Sequence, residues 1–484
     1  MNINPFLLTD YYKVGHIFQY PEKTELVYSN LTPRKSRLNG IDEMVFFGLQ
    51  YFVKEYLVDY FNKNFFEQPK EKVIADYKRR IVTSLGAHLP SYQHLEALHD
   101  LGYLPVEIKA LPEGCRVPMR VPCVTLVNTV PEFYWITNFL ETLLSAVIWQ
   151  PCTSATIAHS YRKLLDRYAE ETGVDKAFVQ WQGHDFSFRG MSSLETAVTS
   201  GMGHLLSFTG TDTIPAIDAL EQYYGADAEK ELIGGSVAAT EHSVMCSGSR
   251  DGELETFKRL VTEVYPSGII SIVSDTWDLW KVCTEYLPEL KEIILARNGK
   301  VVIRPDSGDP VKIICGDPNG TTEVQRKGVV ELLWDVFGGT VTDKGYKMLD
   351  GHIGAIYGDS INIERATAIC EGLKAKGFAS QVVFGIGSFT YQYNTRDTFG
   401  TAMKATYVVI DGEGREIFKN PVTDDGTKRS ATGLLQVKKE NGTYVLYDQV
   451  GWEEERDGEL QTVFKNGKLV KEFTLAEIRA EIQK

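Results

Sequence analysis

The chain has no close cysteine pair: its seven cysteines (Cys115, Cys123, Cys152, Cys246, Cys283, Cys315 and Cys370) are scattered over 484 residues. That excludes a CxxC redox or zinc motif and speaks against a disulfide frame, leaving reduced thiols of a reducing compartment as the expectation. Positive charge is also short, with 51 Lys and Arg against 65 Asp and Glu and a net charge of −14. Non-specific adhesion to nucleic acid or anionic membrane needs clustered Lys and Arg, so the general surface is not built for it, although a local pocket can still take phosphate. No stretch reaches the roughly 18 uncharged apolar residues of a spanning helix. The opening MNINPFLLTDYYKVGH has no basic segment ahead of a long apolar core, so the expectation is a cytoplasmic protein. Fixed-period repeats and low-complexity tracts are missing too.

What is present is ordinary globular composition, 43% hydrophobic and 24% charged, in a chain long enough for more than one domain. In the first part (1–175), TELVYSNL at 24–31 and the runs VEIKALP and CRVPMRVPCVTLVNTV within 106–130 read as strands. Helical spacing runs through 44–66 and 70–84. Over 132–149 it sets Phe133, Ile136, Phe139, Leu140, Leu143, Leu144 and Val147 on one core-facing side. The SSLE at 192–195 predicts a capping box of Ser192 with Glu195. The last part (398–484) is hairpin-like, with turns on Asp-Gly and Asn-Gly, and ends in a short helix, TLAEIRAEIQK. Its strands need partners, and the N-terminal strands are available. The expected architecture is α/β: an irregular β/α barrel over 176–397, flanked by a discontinuous α+β outer domain built from both chain ends.

The barrel follows from a recurring pattern of apolar run, compact polar cluster and helix-like stretch. The clusters are HDFSFRG (184–190), TGTDT (209–213), ATEHS (239–243), VSDTW (273–277), RPDSG (304–308), YGDS (357–360) and FGIGS (384–388). Strand–helix units at roughly thirty-residue spacing indicate a parallel sheet. In a closed β/α barrel the carboxyl ends of the strands meet at one mouth. That mouth would gather Asp185, Phe186, Arg189, Asp212, His242, Asp275, Arg304, Asp306 and Asp359 with a glycine-containing turn. The mixture suits a flat aromatic substrate that carries phosphate.

Each group has a plainer reading. Asp212 is either part of a helix cap made by Thr211–Thr213 or a strand-end carboxylate that accepts from an amide NH2 and repels a carboxylate ligand. His242, between Glu241 and Ser243, is either a packed core histidine or an acid, base or phosphoryl acceptor. No second histidine stands at zinc-ligand spacing from it. Asp275 and Asp306 end the runs IISIVSD and VVIRPD, and either cap helices or hold Mg2+ and ribose hydroxyls. Arg304, stiffened by Pro305, is well placed to fork onto phosphate or stack on a ring. Gly358–Asp359 and Gly385–Ser388 are either plain turns or phosphate cradles, and neither has Walker or GxGxxG spacing. Arg396 and the pair Lys428–Arg429 are solvated charges unless they fold over the mouth.

Taken in order, TDYYKVGH (9–16), HDFSFRG, FTGTDT, AATEHS, SDTWD, IRPDSG, YGDS and NTRD (394–397) closely resemble the nicotinamide phosphoribosyltransferase family, over almost the whole chain. The resemblance implies phosphoribosyl transfer from 5-phosphoribosyl 1-pyrophosphate to nicotinamide, with Mg2+, and a homodimer whose subunits complete each other's sites. It implies that Phe186 and the neighbour's Tyr12 sandwich the pyridine ring, that Asp212 accepts from the carboxamide, and that Arg304 covers the ring and reaches phosphate. Asp306 would hold the ribose, Gly358, Asp359, Gly387 and Ser388 the 5′-phosphate side, and Arg189 and Arg396 phosphate. His242 would be phosphorylated by ATP, and Arg34, Lys404 and Lys419 of the neighbour would face pyrophosphate or ATP phosphates. The family loop aligning with GIGSFTYQ is often richer in glycine; Ser388 and Phe389 take two of those places here. Two rivals stand beside this reading: a nicotinate or quinolinate phosphoribosyltransferase, against which Asp212 argues, and a non-catalytic binding protein on the same fold.

Overall fold

The computed structural model describes residues 3–85, 89–423 and 430–484. Contacts divide the chain into one unit of Met1–Thr156, Ala219–Ala226 and Asn394–Lys484, and another of Ile157–Asp218 and Asp227–Tyr393. No helix among the described residues is long and apolar enough to cross a membrane. All seven cysteines are free, and all but Cys246 are buried.

In the second unit, parallel strands alternate with helices. The strands are β1 (Gly183–Asp185), β2 (Gly210–Thr211), β3 (Ala238–Ala239), β4 (Ser267–Val273), β5 (Asn298–Arg304), β6 (Ile353–Tyr357) and β7 (Val383–Ile386). They pair in the order β2-β1-β7-β6-β5-β4-β3. The sheet curls far enough that Gly210 of β2 bridges Gly235, just ahead of β3. β-branched residues dominate the long strands because both faces are covered. Period-two alternation then sorts them. Ile270, Ile272, Val301, Ile303 and Ile353 are buried away from the interior cavity, while Ser271, Lys300, Val302, Arg304, Gly354, Ala355 and Ile356 line it.

The first unit is built on an antiparallel sheet. Ala402–Ile410 pairs with both Thr24–Thr32 and Glu413–Glu416, and Gln461–Lys465 pairs with Val106–Ala110. Three hairpins turn on Asp411–Gly412, Asn441–Gly442 and Asn466–Gly467, each with both residues at positive φ, the backbone that suits the right-handed strand twist. The seven apolar residues of the 132–149 stripe are all buried. They lie in the turn Pro131–Phe133, the short helix Ile136–Phe139, the linking residue Leu140 and the start of the long helix Glu141–Thr172. Glu113 fastens this unit, accepting from the N–H groups of Gly48 (2.8 Å) and Gln50 (2.5 Å) and the hydroxyl of Tyr224 (3.0 Å). Burial pushes its carboxyl up to about 7 against those donors.

Two expectations need correcting. The capping box near residue 192 is formed by Ser193 and Thr196, because the helix starts at Leu194 and Ser193 is the residue with extended backbone. Asp185 does not reach the mouth: it is completely buried and accepts from the N–H and hydroxyl of Ser187.

Candidate functional site

The second unit encloses a cavity of about 300 Å³ running along the inside of the curled sheet. Its walls are mainly apolar: Phe178, Trp181, Phe186, Val237, Ile269, Val302 and Ile356, with His184, Asp212, Ser236, Ser271, Lys300 and Arg304 as polar points. A β/α barrel is normally filled by bulky side chains. Here Ala239, Ser271 and Gly354 occupy lumen positions, and the missing bulk leaves room for a flat ring.

Phe186 is set by two glycines. A Cβ on Gly385 would come within 2.3 Å of its ring, and one on Gly358 within 3.0 Å. Gly358 therefore serves as a slot for the aromatic ring. Gly385, read from sequence as part of a possible phosphate cradle, does the same with less tolerance. Gly387 has open space where a Cβ would stand, whereas a Cβ on Gly190 would collide with Ser388 Oγ at 2.0 Å. The Ser388 hydroxyl thus packs on the HDFSFRG loop, where Arg189 is exposed.

Asp212 is not the helix cap. Thr211 Oγ1 accepts from the Thr213 N–H (2.9 Å), which frees the Asp212 side chain. His184 Nε2 lies 2.8 Å from Asp212 Oδ1, and Ser236 Oγ donates to the same oxygen at 2.8 Å. An ionised carboxylate only accepts, so Nε2 carries the proton. Burial alone would push Asp212 up; His184, Ser236 and the Arg304 charge outweigh it and hold the carboxyl below its usual value.

Asp275 and Asp306 are also released from capping. Asp278 accepts from Trp280 and Lys281 N–H, and Asp309 from Val311 and Lys312 N–H. Asp275 Oδ2 accepts from the Asp306 N–H (2.8 Å) and the Ser307 hydroxyl (2.5 Å). Its Oδ1 is buried with no hydrogen bond and lies 3.4 Å from His242 Nε2. The His242 side chain is 49% exposed, against 10% for His184. Asp359 is exposed and accepts from the Ser360 hydroxyl (2.9 Å). The carboxylates of Asp275, Asp306, Asp309 and Asp359 surround Tyr357, whose hydroxyl burial pushes up and those charges push further.

Two carboxylates beside a phosphate site are what Mg2+ takes from protein when the substrate supplies the remaining oxygens. Asp275, whose Oδ1 has no hydrogen bond and whose Oδ2 is bonded by the Asp306 N–H, fits that demand together with Asp306. Among the described residues no cluster of three or more His, Cys, Asp or Glu could hold a metal alone.

The first unit carries its own polar cup of about 400 Å³, lined by Tyr12, Lys13, His16, Tyr20, Asn138, Glu141 and Lys404 among others. Lys13 is buried in an ion pair with Glu141 at 2.5 Å, and the Tyr12 ring is 60% exposed. Burial, against the pull of Glu141 and together with the charges of Arg34, Lys419 and Lys13, pushes Lys404 below the usual lysine value. The cup thus brings Lys13, His16 and Lys404 together with one carboxylate, Glu141. Arg396 lies in this unit, half-exposed beside Asp397, and Lys428–Arg429 fall outside the described residues.

Sequence reasoning did not assign Ser236, Ser271 or Lys300, left His184 only as part of the HDFSFRG cluster, and placed Gly385 in a turn that could cradle phosphate. Alternation along IISIVSD was the available signal for Ser271, and Lys300 stands one residue ahead of VVIRPD, in phase with Val302 and Arg304; Ser236 sits in a loop and has none.

Residues 181–468 match the model of the nicotinate phosphoribosyltransferase (NAPRTase) family, and 4–108 match the nicotinamide phosphoribosyltransferase N-terminal domain. The chain is 56% identical to the nicotinamide phosphoribosyltransferase of Acinetobacter baylyi, covering 99% of this chain and 97% of that one. It is 37% identical to that of Mycoplasma pneumoniae (89% and 95% covered) and 33% identical to that of Xanthomonas campestris pv. campestris (99% and 97%). In fold it is similar to nicotinate-nucleotide pyrophosphorylase from Pyrococcus furiosus, with TM-score 0.61, 15% identity and 100% and 95% of the two chains covered. The human nicotinic acid phosphoribosyltransferase follows at TM-score 0.56, 16% identity and 98% and 93% coverage. A curled parallel sheet with this mouth, matched along nearly the full chain, is that of a phosphoribosyltransferase enzyme, and the chain belongs to the NAPRTase family and, within it, to the nicotinamide phosphoribosyltransferases.

Proposed function

We propose that the protein transfers the phosphoribosyl group of 5-phosphoribosyl 1-pyrophosphate to nicotinamide, giving nicotinamide mononucleotide and pyrophosphate in NAD biosynthesis. The observation that carries this is Asp212, an acceptor-only carboxylate held ionised in a mainly apolar cavity. It matches the NH2 of a carboxamide and opposes the charge of a ring carboxylate. Phe186, seated on Gly358 and Gly385, offers a face for the pyridine ring. The Arg304 guanidinium, which donates to the Thr240 carbonyl at 2.9 Å, is the charge available to ring and phosphate.

The ring nitrogen is a modest nucleophile, so the sugar C1–O bond breaks largely before attack and positive charge develops on the ribose. No protein atom attacks carbon. The residues contribute by holding ring and sugar in line and by facing the leaving pyrophosphate with positive charge. Asp306 grips the ribose hydroxyls, and Asp359, Gly387, Ser388, Arg189 and Arg396 serve the phosphate. Mg2+, which neutralises pyrophosphate charge when bound, would be held by Asp275 and Asp306. ATP acts as a coupling cosubstrate: its γ-phosphoryl passes to an imidazole nitrogen of His242, ADP leaves, and water later releases phosphate.

The working form is a cytoplasmic homodimer in which the neighbour's Tyr12, Arg34, Lys404 and Lys419 complete each site; the positively charged cup of the first unit supports this. The chain is read as a catalytic barrel (176–397) with a discontinuous outer domain from 1–175 and 398–484.

Asp212→Asn puts an NH2 where only an acceptor stood. The expected loss for nicotinamide is about 1.5–3 kcal/mol, roughly ten- to a hundredfold in kcat/KM, with discrimination against nicotinate reduced accordingly. Steady-state kinetics on both substrates measure it, and unchanged preference would reduce Asp212 to a structural residue. Mixing inactive Tyr12→Ala with inactive Arg304→Ala should restore activity through heterodimers that retain one intact site. No recovery after verified subunit exchange would count against shared sites. His242→Ala should abolish ATP hydrolysis and ATP stimulation while leaving slow ATP-independent transfer. An acid-labile, base-stable phosphoryl group mapped to His242 supports the coupling, and undiminished ATP stimulation in the variant refutes it.

A further inference from the structure

The reading of Asp212 leaves a physical problem. A carboxylate beside Phe186, Val237 and Ile269 tends to protonate, and a protonated carboxyl becomes a hydrogen-bond donor that can accept a ring carboxylate as partner. Something must keep it ionised and aimed. Among the described residues Asp212 Oδ1 takes both available donors, His184 Nε2 and Ser236 Oγ, each at 2.8 Å. Its other oxygen is left for a ligand.

We propose that His184 is the positioning residue that fixes Asp212 and thereby sets the preference for a carboxamide over a carboxylate, with Ser236 as its helper. The inference rests on the proposed reaction and deepens it. His184 lies in mid-strand, in register with Gly210 on one side and Gly385 on the other. A Cβ on Gly210 would come within 2.8 Å of His184 Nδ1, so the imidazole edge is seated directly on that backbone. The Gly210 peptide is itself pinned. Its carbonyl accepts from His204 Nε2 at 2.9 Å, and His204 Nδ1 accepts from the Tyr391 hydroxyl at 2.7 Å. The buried His204 is held below the usual histidine value, first by burial, which matches the neutral tautomer these two bonds require. The chain Tyr391, His204, Gly210, His184 thus ends on one oxygen of Asp212. Charged and titratable groups bearing on this end are Arg304, across the cavity beside Asp212, and His204 and Asp185, behind His184.

His184→Ala removes the donor, and His184→Gln restores an N–H of similar reach. Ser236→Ala removes the second donor from an exposed loop residue. Kinetics with nicotinamide and nicotinate over about pH 5 to 9 distinguish positioning from mere support. For His184→Ala the nicotinamide-over-nicotinate ratio of kcat/KM should fall about tenfold or more, mostly through KM. The acid limb of the nicotinamide profile should move to higher pH, because Asp212 loses what holds it down. His184→Gln should recover most of both, and Ser236→Ala should shift both in the same direction by less. If His184→Ala and Ser236→Ala keep the wild-type ratio and acid limb, the proposal is wrong. It is equally wrong if His184→Gln behaves as His184→Ala. Failure of wild-type protein to turn over nicotinamide would instead overturn the reaction itself, so the two failures are separable.

Discussion

Side chains on a parallel strand alternate between the two faces of the sheet, and in a curled sheet one of those faces becomes an interior. The geometry of the site depends on that constraint. In β5 it sends Val301 and Ile303 into the packed layer and turns Lys300, Val302 and Arg304 to the lumen. In β4 it does the same with Ile270 and Ile272 against Ile269 and Ser271. Because small residues take lumen positions on β3, β4 and β6, the interior stays open instead of filling. A charged recognition group can then sit beside apolar walls, provided that its charge is compensated. Asp212 meets that condition through His184, Ser236 and Arg304. On the proposed reading, selectivity in such a site would come from the protonation state of one carboxylate as much as from cavity shape.

Charge is divided between the units in a way the overall composition hides. In the second unit four carboxylates bear on Tyr357, while in the first unit the charges of Lys13, Arg34 and Lys419 bear on Lys404, with Glu141 opposing them. A net-negative chain can therefore handle a donor as anionic as 5-phosphoribosyl 1-pyrophosphate, since the positive charge is local. The lysine in that cup is depressed chiefly by its burial, with the neighbouring positive charges adding to it.

Much of this was readable from sequence because it is written in local chemistry. The β-branched runs ending in polar clusters gave the parallel strands, and Asp-Gly and Asn-Gly gave the hairpins. Asp212, His242, Asp275, Arg304 and Asp306 were recognisable as strand-end groups. What sequence could not decide was which aspartates were caps. That is settled by side-chain direction, with Asp278 and Asp309 doing the capping and leaving Asp275 and Asp306 free. The box at residue 193 was misplaced by one because SSLE offers two adjacent serines and only backbone geometry selects between them. His184 was underrated because its function depends on a partner 28 residues away, and Ser236 was invisible because a loop serine has no periodic signature. Gly385 shows the same limit: its need for no side chain comes from the Phe186 ring against it.

The central claim is that an ionised, acceptor-only Asp212 makes this enzyme select an amide. It is tested most directly by competing nicotinamide and nicotinate for the wild-type protein in one reaction with 5-phosphoribosyl 1-pyrophosphate, Mg2+ and ATP, and measuring the two mononucleotides formed. The account predicts nicotinamide mononucleotide in large excess at neutral pH. Equal amounts of the two products, or an excess of nicotinate mononucleotide, would contradict it.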